Sequence, residues 1–156
     1  MTDTSAPETV TGPGVVELTR TFRVPPERVF AAWTDVELLR QWSRPGPDWV
    51  VSHCELDPRE GGGYEVVFGE APAGEGYREV AVYEVFEPVR RLVMHLSLDG
   101  EGMAERSRAT LEFEAVPEGT LLRLRDEGLS TQETADGHVE GWAACFDLLE
   151  QAVLAA

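Results

Sequence analysis

The segment Phe22–Trp42, FRVPPERVFAAWTDVELLRQW, constrains the fold more than any other stretch of the chain. It reads as a strand end, a Pro25-Pro26 corner and two short helices divided at Thr34-Asp35. Proline cannot continue a strand ladder, and Pro26 suits the first turn of a helix. Val29, Phe30 and Trp33 recur at helical spacing. Thr34, followed three residues later by Glu37, has the form of a capping box ahead of Leu38, Leu39 and Trp42. Two helices this short cannot bury those side chains against each other, so the pair requires a large concave partner.

The rest of the chain supplies one. Val15–Val24 alternates apolar and polar residues, with Arg20 interrupting the apolar face. After Pro45-Gly46-Pro47, strand-like runs occur at Trp49–Asp57, Tyr64–Phe68, Tyr77–Phe86, Arg90–Leu98, Arg106–Val116 and Thr120–Asp126. Gly- or Pro-containing turns join each to the next, which predicts an antiparallel meander. From His138 the period changes: Val139, Trp142, Phe146, Leu149 and Val153 form a helical stripe about five turns long. The expected architecture is a single α+β domain over 15–156, with about seven strands wrapped around a long C-terminal helix. Residues 1–14 are expected to be a flexible tail.

Composition narrows the function. The net charge of −16 disfavours phosphate backbones and anionic lipid, so neither nucleic acid nor a membrane surface is expected as a partner. The acidic surface leaves room for a protein partner, and the chain is expected as a monomer or homodimer. It contains no lysine, asparagine or isoleucine, as expected of a GC-rich bacterial genome, and lacking lysine it has neither Schiff-base nor Walker-type chemistry. No dinucleotide motif, hydrolase elbow or metal-ligand spacing occurs, so no cofactor and no metal are expected. With no apolar run of about 18–20 residues and no basic, apolar leader, a cytoplasmic location is expected. Cys54 and Cys145 are then expected to be free thiols.

The order of elements is similar to the helix-grip fold of the START-like (SRPBCC) superfamily. Within it the chain resembles the activator-of-heat-shock-protein-ATPase homologue family. The residues carrying the likeness near the start are Arg20, Phe22, Pro25, Val29, Phe30, Ala32, Trp33, Thr34, Asp35, Glu37, Leu39 and Trp42. Asp57, Arg59, Gly61 and Gly62 match a later turn; Pro88, Arg91 and Leu92 approximate another, and Gly141-Trp142 stands near the last helix. Departures are Val24 for alanine, Val36 for proline, and Ser43 where an aromatic is common. Losing that aromatic is expected to widen or wet the mouth of a cavity. The resemblance implies a pocket between helix and sheet that binds a small, largely hydrophobic molecule without catalysis. Its alternatives are a polyketide cyclase- or hydrolase-like enzyme using the same cavity and a chaperone-associated protein-binding module.

Candidate wall residues are Trp33, Trp42 and Trp49 near the entrance, Met94 and Leu96 on the sheet, and Trp142, Phe146 and Leu149 on the helix. His53, His95 and His138 are the side chains able to shuttle protons near neutrality. His53 and His138 join the ligand-binding set; His53, His95 and Tyr83 are the weak catalytic candidates. Strand alternation places His95 opposite Met94 and Leu96, so those assignments conflict. Tyr77, Glu79 and Tyr83 share one strand face with acid-base capacity.

Overall fold

In the computed structural model, which describes residues 8–12 and 14–155, eight strands form one antiparallel sheet in the order β1-β2-β8-β7-β6-β5-β4-β3. The strands are β1 (Glu8–Gly12), β2 (Val15–Phe22), β3 (Trp49–Asp57), β4 (Gly63–Glu70), β5 (Tyr77–Glu87), β6 (Arg91–Gly100), β7 (Met103–Val116) and β8 (Gly119–Glu127). The helices are α1 (Pro26–Thr34), α2 (Val36–Trp42) and α3 (Gln132–Ala155). This is the helix-grip α+β arrangement: each strand from β4 to β8 pairs with its predecessor, β8 returns beside β2, and α3 lies in the curve of the sheet.

Three expectations change. Part of the supposed tail is a strand, because Glu8–Gly12 pair with Val15–Thr19 of β2. Residues 1–7 lie outside the described residues. The cap of α2 is Asp35 rather than Thr34, whose hydroxyl instead donates to the Phe30 carbonyl. Asp35 accepts from the Glu37 amide at 2.9 Å, satisfying one of the donors a helix start leaves open. Helix α3 begins at Gln132, before the apolar stripe, capped by Thr131 accepting from the Thr134 amide. Gly137 and Gly141, poor helix formers, had hidden its first turns.

The core lies between the sheet's concave face and the helices. Leu18, Phe22, Met94, Leu111, Leu122 and Leu124 project from the sheet onto Trp33, Leu39, Phe146 and Leu149. Phe30 and Trp33 meet Phe113 edge-on at 5.2 and 5.6 Å. Arg20, the charged residue on the inward face of β2, is 7 % exposed and reaches α3, where it pairs with Asp147 at 2.8 Å. Its guanidinium also lies 5.8 Å from the Phe146 ring. One arginine thus ties the first long strand to the last helix.

The Gly61–Gly63 run has a conformational cause. Gly61 sits at φ +81°, and a Cβ on Gly62 would fall 2.3 Å from the Asp57 carbonyl oxygen. The turn needs glycine for space and handedness, not for chemistry.

Candidate functional site

Helix α3 does not fill the whole curve of the sheet. Its C-terminal half is packed tightly through Phe146, Leu149 and Val153. Its N-terminal half stands off, because Gly137 and Gly141 carry no side chain and nothing lies within 4 Å of where their Cβ atoms would be. The gap is a partly open cavity of about 570 Å³, within the usual range for small-molecule sites. Phe68, Leu96, Leu98, Met103, Trp42 and Trp142 give it apolar walls, and Ser43, Arg44 and Pro45 after α2 form part of its rim.

Its polar groups converge from three strands and the helix. Glu79, Leu98 and Glu105 stand in register across β5, β6 and β7, so two carboxylates flank one leucine on the cavity floor. His138 projects from α3 between Glu105 and Asp126 of β8. Its Nε2 lies 2.6 Å from Glu105 Oε1 and its Nδ1 2.8 Å from Asp126 Oδ2. The Trp142 indole, one helical turn on, donates to the same Asp126 oxygen at 3.0 Å. Asp126 itself is fully buried.

Burial alone would lower the His138 pKa. The hydrogen bonds and charges of Asp126 and Glu105 outweigh it and hold His138 up at about 9. It is therefore an imidazolium at neutral pH, donating both ring protons, and neither nitrogen is available as a base. Burial, opposed by the Tyr64 hydrogen bond and reinforced by the Asp126 charge, raises the Glu79 carboxyl from its ordinary value. Tyr64 donates to Glu79 at 3.0 Å. The Cys145 thiol is pushed up to about 12, chiefly by burial and then by Glu79, so it is no nucleophile near neutrality.

A pH dependence of stability follows. A histidine held at about 9 in the fold and near 6.5 when unfolded stabilises fully below pH 6.5, and that contribution disappears as pH rises through 9. The raised Glu79 acts in the same direction. Between pH 6 and 9.5, urea denaturation is expected to show a loss of about 2–3 kcal/mol. His138→Gln should flatten most of that slope; an unchanged slope would count against the double ion pair.

The predicted site residues are distributed unevenly. Trp42, Leu96, His138 and Trp142 line the cavity. Trp33, Met94, Phe146 and Leu149 are completely buried in the core, where side chains from sheet and helices close over them. Trp49 packs against Phe68 at 6.0 Å, one layer behind the wall. The three weak catalytic candidates lie away from the cavity. His53 faces outward because the bulge between Val51 and His53 leaves Val51 and Cys54 both pointing inward; its Nε2 lies 3.1 Å from Glu65. His95 is exposed beside Glu84 at 2.7 Å, which resolves its conflict with Met94 and Leu96. Tyr83 is buried, with its hydroxyl donating to the Trp33 carbonyl at 2.9 Å.

Ser43 does border the cavity, but its hydroxyl donates to the Leu39 carbonyl of its own helix at 2.6 Å. Glu105 and Asp126 were missing from the expected site, although a signal existed. Asp126 is in phase with the inward Leu122 and Leu124, and Glu105 with the inward Ala109 and Leu111. A carboxylate on the apolar parity of a strand is what alternation would flag.

Comparison with known proteins agrees with this architecture. A protein of Rhodobacter sphaeroides superposes with a TM-score of 0.80 at 24% identity, covering 97% of this chain and 100% of that one. Protein CV1439 of Chromobacterium violaceum gives 0.77 at 25% identity, covering 90% and 98%. An AHSA1-like protein of Aeromonas hydrophila gives 0.76 at 20% identity, covering 90% and 92%. No curated protein matches the chain. No helix among the described residues is long and apolar enough to cross a membrane. Residues 23–153 match the family described as Activator of Hsp90 ATPase homolog 1-like protein, and the chain belongs to that family.

Proposed function

We propose that the protein holds a small, largely hydrophobic molecule in the cavity between α3 and the sheet, without transforming it. The observation that carries this reading is the cavity itself: about 570 Å³, walled by Phe68, Leu96, Leu98, Met103 and Trp142. Trp142 is half-buried yet fixed by its bond to Asp126, so an aromatic face is presented at little further entropic cost. Desolvation by these walls supplies affinity, and the Glu79 and Glu105 carboxylates orient the ligand.

The glycine notch offers the test. A neutral aromatic probe, 2-naphthylmethanol, should quench tryptophan fluorescence as it enters. Gly141→Leu should fill the space and weaken uptake by at least about tenfold, while stability holds or rises by up to about 1 kcal/mol from the gain in helix propensity. Native mass spectrometry of the freshly purified chain should show a co-purified small molecule. A wild-type protein that carries none and takes up no probe would sink the reading.

A cyclase- or hydrolase-like enzyme is the second reading, and one observation favours it. Glu79 faces the cavity with its carboxyl raised by burial, as acid-base groups are. In that reading Glu79, rather than His53, His95 or Tyr83, moves the proton.

A further inference from the structure

From the hydrogen-bond inventory of the cavity and its charges, we infer that the ligand is an amphipathic cation, an aromatic or aliphatic amine. The inference rests on the ligand-holding function proposed above. Most side-chain donors around the cavity are already engaged by the protein, the Ser107 and Thr134 hydroxyls excepted. The Ser43 hydroxyl donates to the Leu39 carbonyl, and the Cys145 thiol to the Arg44 carbonyl. The Trp42 indole donates to the Ala32 carbonyl and the Trp142 indole to Asp126. Both His138 protons go to carboxylates. Arg44 directs its guanidinium to the carbonyls of Gln41, Pro47 and Trp49, along the connection from α2 to β3.

Acceptors, by contrast, are in surplus. Glu79, Glu105 and Glu133 are the carboxylates on the lining, against one guanidinium and one imidazolium. Behind them Asp126 adds a buried carboxylate whose Oδ1 has no hydrogen-bond partner. A donating ligand therefore finds more partners in such a site than an accepting one. A carboxylate or phosphate would face two floor carboxylates, with Arg44 Nε and Nη1 already turned to three carbonyls. An ammonium group meets the opposite situation: it would stabilise the Glu79 charge that burial penalises, and the Trp142, Trp42 and Phe68 rings favour a cation at their faces. The floor carboxylates are not gathered as metal ligands are. Among the described residues the one such group is His53, Glu55 and Glu65 on the outer face, where Arg78 already holds Glu65.

Titration calorimetry with three probes sharing one ring system tests the assignment: 2-naphthylmethylammonium, 2-naphthylmethanol and 2-naphthoate. The ammonium is expected to bind at least about tenfold tighter than the naphthoate, with the alcohol between them. Glu105→Gln and Glu79→Gln, made separately and checked for folding by circular dichroism, should each reduce that preference several-fold. The overall charge of −16 also attracts cations, so Gly141→Leu, with the same net charge and a filled cavity, serves as the control and should abolish the preference. Naphthoate binding as tightly as the ammonium overturns the inference, as does a preference that survives in both glutamine variants or in the filled cavity. Where the naphthoate binds as tightly or the glutamine variants keep the preference, the ligand-holding function stands; a preference that survives in the filled cavity, or no binding by any of the three probes, overturns that function too.

Discussion

Asp126→Ala is expected to destabilise the protein by about 3–5 kcal/mol, the range for removing one partner of a buried ion pair. Asp126 is fully buried on β8, and its Oδ2 receives both His138 and the Trp142 indole. Truncation leaves the imidazolium facing Glu105 alone and the indole without its acceptor. The sheet and the open half of α3 lose a polar tie between them. Asp126→Asn keeps the volume and an acceptor, so it should cost clearly less. Urea denaturation at pH 7 distinguishes the two. Equal losses would mean that volume and a neutral acceptor contribute nothing and that the charge alone holds the site. In both variants the His138 pKa should fall toward its ordinary value, which NMR titration reads directly.

Trp33→Ala should be as costly, about 3–5 kcal/mol, but for a different reason. Trp33 is completely buried, with Trp42 at 4.8 Å and Phe113 at 5.6 Å between ring centroids. Its removal leaves a large void under α1 that the short helices cannot collapse to fill. Because Trp33 does not line the cavity, 2-naphthylmethanol uptake by the folded fraction should be unchanged. Its indole nitrogen has no hydrogen-bond partner, so Trp33→Phe should recover a large part of the lost stability. A variant of Trp33 that folded normally but lost probe binding would reverse this division between core and cavity.

The fold was legible because it is written in periods and breakers. The Pro25-Pro26 corner, the alternation from Trp49 to Asp126 and the stripe ending at Val153 each pointed to one element type, and the elements then fitted one architecture. The site was less legible. Whether an apolar residue walls a cavity or fills a core depends on what stands opposite, and the opposing residue at α3 is the absence of a side chain at Gly137 and Gly141. His53 was expected at the cavity as a strand histidine able to shuttle protons, and the bulge at Val51/His53 turns it outward instead. Sequence reasoning passed over Glu105 because the expected strand began at Arg106, whereas β7 begins at Met103, and over Asp126 because an acid at a strand end is ordinarily solvated. Within the expected strands only the inward parity of Asp126 was visible; the histidine that makes such burial tolerable came from another element.

The two halves of α3 are held by different kinds of force. The C-terminal half is fixed by apolar packing, by Arg20 and by Arg28, which donates to the Val153 carbonyl. Over the cavity, the helix rests on the His138 ion pairs and on a small cluster of Val16, Leu129 and Ala135. Lifting that end breaks a few polar contacts and exposes little of the main core, so it belongs to the low-energy openings that a folded domain samples locally. Under the proposed function, a guest larger than the resting mouth would enter by a hinge of the helix while the greasy centre of the molecule stays shut.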